Sequence, residues 1–599
     1  MTKASKNKTA FYLIAALIPV IFLILLEFGL RGIGFGQSYP LFVTSAEFSG
    51  YMQPNPNIIQ RYFPTAESAP NVSPDTVYFP AHKGDDVFRI VIQGGSSAAG
   101  FPYGRFGSLQ GMLEQRFKRT YPDKNIEVIN TAMAAVNSYT LLDFVDEIIA
   151  IEPDVVLIYA GHNEYLGILG VGSAYASKGG RGATLLYLKL KELRLFQLLE
   201  QTYAWVQSLL AGDASERSSG RTLMTKVARG QHIPYGSPLY YKGIEQLEGN
   251  LKLISDKYKA AGVPLILGNL VSNEKDLVPF SSVGKVDWER LEANGELNEL
   301  ADEASRAFFQ AKQAHKSGKV SGVIELYREA RDLDTLRFRA PSAFNQVITQ
   351  LQQEPNVYLA DVETYFRQDS DDGVIGSAHM LEHVHPTQNG YFLLAEAFFD
   401  ALVEPEFLGP MQKRFSREQA FADIPLSELD VRWANLKVAQ LTSDYPFTES
   451  PKPLPGLNRG DAIDELIAKR AQGISWLDLQ EQLIQLYQGS RQWQKAANVA
   501  GVLADAIPNS SQVFSNATRL YRQAGDIDMA IYYQNRALTL EPENVGFLLN
   551  QAHLYFLQQE YSKSLAALNK AKPLAKDKVK VRFFIDKVMA AQSQANKGA

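Results

Sequence analysis

The chain has 599 residues, 46% of them hydrophobic and 21% charged, with a formal net charge of −5 at pH 7. That length exceeds what one core usually serves, so roughly two to four domains are expected. The near-balanced charge speaks against a nucleic-acid partner. With no cysteine present, disulfides, thiolate metal sites and cysteine nucleophiles are excluded.

Lys3, Lys6 and Lys8 precede an uncharged apolar run from Ala10 to Leu26, which Phe28, Gly29 and Leu30 extend. Such a run is about as long as a bilayer core is thick. Glu27 and Arg31 stand where a cleavable signal peptide would carry small residues. Residues 1–31 are therefore expected to be a cytoplasmic tip and a single transmembrane anchor, with membrane contact through residues 10–30. The preceding lysines put the N-terminus in the cytoplasm and the bulk of the chain in the periplasm or cell exterior. Residues 32–80 carry Pro, Ser, Asn and aromatic residues without period and read as a stalk and lead-in.

From Asp86 the pattern becomes α/β. Val87–Gly94 is a buried strand that ends in Gly94-Gly95-Ser96-Ser97-Ala98-Ala99-Gly100. A helix is predicted over 109–121, a strand over 126–130, a helix over 139–151 and a strand over 155–160. After an insertion near 170–235, a helix over 242–261 and a strand over 264–269 follow. A second insertion near 285–335 precedes a strand over 357–361 and a closing helix over 390–402. Strands alternating with helices predict a doubly wound parallel sheet across 81–405. The first insertion mixes Lys and Arg with many Leu and reads as a surface element, a lid, or a face for membrane or partner.

The last third changes character. Residues 406–475 read as a helical connector. Within 476–595, Leu486-Tyr487 returns as Leu520-Tyr521 and Leu554-Tyr555. Ala496, Ala530 and Ser564 follow the same 34-residue step, as do Leu503, Ala537 and Ala571, and Pro508 with Pro542. That period, with small residues at the helix crossing, predicts tetratricopeptide-like repeats and a protein partner for them.

Serine chemistry needs a nucleophile, a base, an acid that orients it and donors for an oxyanion. Ser96 follows a strand and two glycines, a setting that also suits a phosphate-binding turn. Gly161-His162-Asn163-Glu164 follows another strand and offers an amide, and Asn130-Thr131-Ala132-Met133-Ala134-Ala135 offers a bare backbone N–H after a third. Glu382-His383-Val384-His385-Pro386 offers an acid and two imidazoles. Spacing alone does not choose between His383 and His385 as base, and the three side chains together also suit a metal.

The order and spacing of these blocks resemble the SGNH (GDSL-like) hydrolases, specifically membrane-anchored bacterial members with tetratricopeptide repeats. Arg337-Phe338-Arg339-Ala340-Pro341 adds to the likeness. The resemblance implies a flavodoxin-like three-layer fold. It implies Ser96 as nucleophile, His385 as general base and Glu382 as the acid orienting it. The backbone N–H groups of Ser96 and Ala135 and the Asn163 amide would form the oxyanion hole. No metal or other cofactor is implied. Three positions depart from the wider pattern: Gly95 stands for Asp, Ala135 for Gly and Glu382 for Asp. The expected function is a serine esterase or O-acyltransferase acting on an acyl ester of a cell-envelope glycan or lipid. The alternative is an inactive hydrolase-like scaffold that recruits partners through its repeats.

Overall fold

A computed structural model describes residues 3–63, 69–173, 179–210, 224, 231–294, 302–318, 322–458 and 460–598. The side chains of 3–10, 13, 14, 16, 207–210, 292–294 and 597–598 are outside that description. Three short strands, β1 (Phe42–Thr44), β2 (Tyr51–Pro54) and β3 (Phe79–Pro80), pair antiparallel. Five more, β4 (Val87–Gly94), β5 (Asn125–Asn130), β6 (Val155–Tyr159), β7 (Leu265–Gly268) and β8 (Val357–Ala360), form a parallel sheet in the order β5-β4-β6-β7-β8. The runs Ile90-Val91-Ile92 and Val155-Val156-Leu157-Ile158 are buried on both sides, as strands covered by helices on both faces must be.

The chain leaves β4 for β5 on one side and then crosses to β6 on the other. Right-handed crossovers put α3 (Leu109–Thr120) and α4 (Ser138–Ile149) on opposite faces. The Gln388–Val403 helix packs with α3, and the Pro238–Ala260 helix packs with α4. The strand order reverses at β4, and open α/β sheets place their ligands beyond the carboxyl ends of the strands at such a point. There the chain enters α2 (Ser96–Ala99).

Most predicted ends hold to within two residues. The exception is the helix predicted from Lys242, which begins at Pro238 because the Ser237 side chain accepts a hydrogen bond from the Tyr240 N–H. Residues 32–80 are not a free stalk. Leu41, Phe42, Ile58, Ile59, Val77 and Phe79 belong to the same core as the parallel sheet. Arg61 fastens the segment to α4 through Asp143 at 2.8 Å and Glu147 at 2.5 Å. A lack of period in the sequence conceals apolar residues that pack one at a time.

The N-terminal segment is one helix, α1 (Lys3–Gly32), with Phe11, Leu17, Phe22, Leu25 and Phe28 exposed. Among the described residues no helix is long and apolar enough to cross a membrane. Part of the expected span (residue 10 and residues 13, 14 and 16) lies outside the described side chains. Glu27 does not end in solvent. Its carboxylate accepts from the Arg194 N–H at 3.1 Å and the Leu195 N–H at 2.8 Å, at the start of the insertion helix Arg194–Leu210. A carboxylate is stabilised at a helix N-terminus, so the Arg194–Leu210 helix of this insertion rests on α1. The second insertion contributes a helical pair, Glu303–Lys316 and Val323–Leu333, closed around Ala307, Phe308, Ala311, Tyr327 and Ala330.

Three helix pairs make up the repeats: Trp476–Gly489 with Trp493–Ala506, Ser511–Ala524 with Ile527–Leu540, and Val545–Leu557 with Tyr561–Leu574. Ala496, Ala530 and Ser564 are fully buried where the paired helices cross. The stack is docked on the α/β domain through the end of α3. Lys118 pairs with Asp505, and Arg119 bridges Asp423 at 2.7 Å and Asp526 at 2.8 Å. The loop after α2 also reaches the repeats, where Phe106 stacks on Trp476 with centroids 5.5 Å apart.

Candidate active site

At the end of β4 the backbone has no room for a side chain at Gly94. A Cβ on Gly94 would run into the Tyr159 carbonyl and the Ala98 methyl. Gly95 lies open on one side, and a Cβ there would sit 3.1 Å from Asn163 Nδ2. A side chain at Gly95 would press on the Asn163 amide, which lies beside the first turn of α2. Asn130 steadies that turn by donating from Nδ2 to the Ala98 carbonyl at 3.0 Å.

Ser96 Oγ lies 2.7 Å from His385 Nε2, although 289 positions separate them in the chain. The neighbouring Ser97 has a different task. Its hydroxyl donates to the Val384 carbonyl at 3.0 Å, tying α2 to the segment that carries both imidazoles. Leu381 N–H donates to the His385 carbonyl at 2.8 Å, which closes that segment into a tight loop ahead of the Gln388–Val403 helix.

Glu382 sits between the two histidines. Its Oε1 meets Nδ1 of His385 and its Oε2 meets Nδ1 of His383. The backbone N–H groups of His385, at 3.2 Å, and of His383 reach the same two oxygens. An ionised carboxylate only accepts, so both rings carry their proton on Nδ1 and leave Nε2 as an acceptor. All three residues are at most 6% exposed. Burial pushes the Glu382 carboxyl up, but the two imidazoles outweigh it and hold the group well below the usual carboxylate range. Burial pulls His383 below its ordinary value despite Glu382. Among the described residues these three form the compact cluster of potential metal-ligating atoms, all within 4.8 Å. Both Nδ1 atoms face the carboxylate and His385 Nε2 faces Ser96, so the donors are turned to one another rather than to a shared centre.

The Gly161–Glu164 block divides its work by residue. Glu164 accepts from the Ser138 N–H at 3.1 Å and the Gln246 side chain at 2.6 Å, holding the start of α4. Burial raises the Glu164 carboxyl in spite of these donors. His162 Nδ1 accepts from the Ala340 N–H at 3.2 Å, so this ring bridges to the 337–341 stretch. Arg337 in that stretch donates to the Ile233 carbonyl at 2.7 Å, and Arg339 pairs with Asp334 at 3.1 Å. The Arg-Phe-Arg-Ala-Pro block is therefore a buried brace behind the rim. Burial, with His383 and His385 close by, pulls His162 down to about 3.

Ala135 takes φ +64°, the conformation expected of glycine at that point. Its methyl group costs strain in that conformation. Neither this N–H nor the Asn163 amide donates a hydrogen bond within the described residues. The structure brings Ser96, His385, Glu382, Ala135 and Asn163 to the carboxyl ends of β4, β5 and β6 and the loop before the Gln388–Val403 helix. One neighbour escaped sequence reasoning, Phe101, whose ring packs 4.6 Å from that of His385, while His383, the rival candidate base, is a second partner of Glu382. Nothing in the pattern after Gly100 marks Phe101, whereas the His-x-His spacing did signal His383.

No protein-family model matches the chain, and no curated protein matches it. Among solved structures it is similar to a putative acylhydrolase from Bacteroides fragilis, at 12% identity over 54% of this chain and 91% of that one, TM-score 0.27. It is also similar to a catalytic mutant of an acetylxylan esterase from Geobacillus stearothermophilus, at 15% identity over 55% of this chain and 97% of that one, TM-score 0.28. The type III secretion chaperone SycD of Yersinia enterocolitica, in complex with a peptide of the translocator YopD, matches 21% of this chain and 98% of its own at 17% identity, TM-score 0.18.

Proposed function

We propose that the chain is a serine esterase of the SGNH type, with Ser96 as nucleophile, His385 as base and Glu382 as the carboxylate that orients it. The observation that carries this reading is the 2.7 Å contact between Ser96 Oγ and His385 Nε2, within the reach a nucleophile and base need. Ser96 Oγ attacks the ester carbonyl while His385 Nε2 takes its proton. Glu382 stabilises the imidazolium through Nδ1–H. The tetrahedral oxyanion accepts from the N–H groups of Ser96 and Ala135 and from Asn163 Nδ2. Collapse expels the alcohol, protonated from His385, and water then releases the acyl group with His385 as base. A bound sugar hydroxyl in place of water makes the same site an O-acyltransferase.

Two of the three departures from the wider pattern, Gly95 and Ala135, are compatible with an active site. Gly95 leaves space for the Asn163 amide, and Ala135 adopts the backbone that a glycine would. The exposed apolar side of α1 supports a tether at a bilayer surface, which favours envelope glycans or lipids as substrates outside the cytoplasm. The repeats contact α3 through Asp505, Asp526 and the Ile527–Leu540 helix, leaving exposed Gln512, Arg519 and Arg522 for a protein partner. The test is turnover of small acyl esters by Ser96→Ala. A loss of about 10³-fold or more is expected, and undiminished turnover would remove Ser96 from the mechanism.

A further inference from the structure

His383 sits one residue after the acid, and the esterase chemistry above makes no use of it. Yet it is as closely engaged with Glu382 as His385 is. One carboxylate oxygen serves each imidazole, with the two rings 5.5 Å apart and nearly perpendicular, at 84°. The far side of the His383 ring is boxed by Phe280, Phe338 and Phe447, with centroids 5.6, 6.0 and 5.5 Å away. Its carbonyl accepts from the Asn273 N–H at 2.9 Å. The charged and titratable groups that face it are Glu382 and His385 on its own loop, Arg339 on the 337–341 brace and His162 beyond β6. None of these contacts points His383 at Ser96.

We propose that His383 is a positioning residue that divides the Glu382 carboxylate between two imidazoles and so limits how strongly that carboxylate stabilises a protonated His385. The reasoning is electrostatic. An N–H donated to Oε2 draws charge from the carboxylate, and the charge left on Oε1 is what favours the imidazolium of His385. An unshared glutamate would hold His385 protonated at higher pH, where it cannot act as base. His383 also fixes the second oxygen, so the carboxylate cannot swing away from Nδ1 of His385. Burial lowers His383 below its ordinary value, and its Nδ1 faces Glu382 rather than Ser96, so it serves the carboxylate as a donor and not the nucleophile as a base.

This inference rests on the esterase reading, and the experiment separates the two. The full chain is assayed for kcat/KM against pH on a small acyl ester, with Ser96→Ala as the control. His383→Phe fills the aromatic box but has no donor, whereas His383→Asn places an amide N–H close to where Nδ1 stood. The acid limb of His383→Phe should move up by about one pH unit, with that of His383→Asn staying near wild type. The same pH dependence is read from the rate of fluorophosphonate labelling, which needs only a folded fraction. An acid limb unmoved in His383→Phe, or moved equally in both variants, overturns the role of His383 while leaving the esterase intact. Ester turnover that survives Ser96→Ala overturns both. If His383→Phe does not fold, His383→Leu, likewise without a donor, takes its place: an acid limb raised relative to His383→Asn supports the proposal, and one that coincides with it refutes the proposal.

Discussion

Glu382 at the rim and Asp423 at the docking face of the repeats are both buried carboxylates that accept from more than one side chain, and their partners set them apart. Glu382 is held by two imidazoles. Asp423 is held by the Arg119 guanidinium at 2.7 Å on each oxygen and by Gln115 at 2.7 Å. An imidazole gains and loses its charge near neutral pH, while a guanidinium keeps it. On the esterase reading the rim would move a proton, while the docking face keeps its charges. One stretch joins them, because the chain runs from Ser96 through Phe101 and Phe106 into α3, which ends in Lys118 and Arg119.

Breaking the rim should cost chemistry and leave the fold. His385→Ala is expected to lower ester turnover by about 10⁴- to 10⁶-fold, with a thermal melt close to wild type. Breaking the docking face should do the reverse. Arg119→Ala strands Asp423 and Asp526 without their shared cation, and for a part-buried network the cost should fall between the roughly 1 kcal/mol of an exposed pair and the ~3–5 kcal/mol of a buried one. Chemical denaturation would read that cost, while the folded fraction keeps wild-type kcat.

The contrast sharpens at Asn163 and His162, which are neighbours in sequence. Asn163→Ala removes one oxyanion donor and should lower kcat by about 10²–10³-fold with little change in melting. His162→Gln should show itself in stability against pH. His162 is pulled from 6.5 down to about 3 in the native state, so below 6.5 the unfolded chain takes up a proton that the native chain refuses. Stability is therefore lost as pH falls from 6.5 towards 3, and the glutamine variant should lose less over that range. Lys118 at the docking face adds nothing to this trend. Asp505 raises Lys118 against the effect of burial, a contribution fully present below the ordinary lysine value and lost only as pH rises through the elevated one. The smallest effect is expected at Ala135, where glycine relieves a positive φ and should stabilise by about 1 kcal/mol with kcat near wild type.

The parallel sheet was legible because β4 and β6 are long apolar runs and each loop that follows begins with small residues. The repeats were legible because one spacing recurs at four positions. The candidate site was legible as separate blocks, and the resemblance chose His385 where spacing could not. What stayed hidden depends on contacts that leave no period. Arg61 reaches Asp143 and Glu147, Glu27 caps the Arg194–Leu210 helix, and Ser97 holds the Val384 carbonyl. Each joins segments tens to hundreds of residues apart through a single polar side chain. The expected stalk was the costliest reading, since scattered aromatic residues look alike in a linker and in a small sheet packed onto a core.

The most direct measurement treats the folded full chain with a fluorophosphonate and locates the adduct by mass spectrometry. One adduct on Ser96, formed at a rate that collapses in His385→Ala, is the predicted result. A folded chain that stays unmodified, or carries the label on another residue while Ser96→Ala labels equally fast, would contradict the esterase account and favour a scaffold.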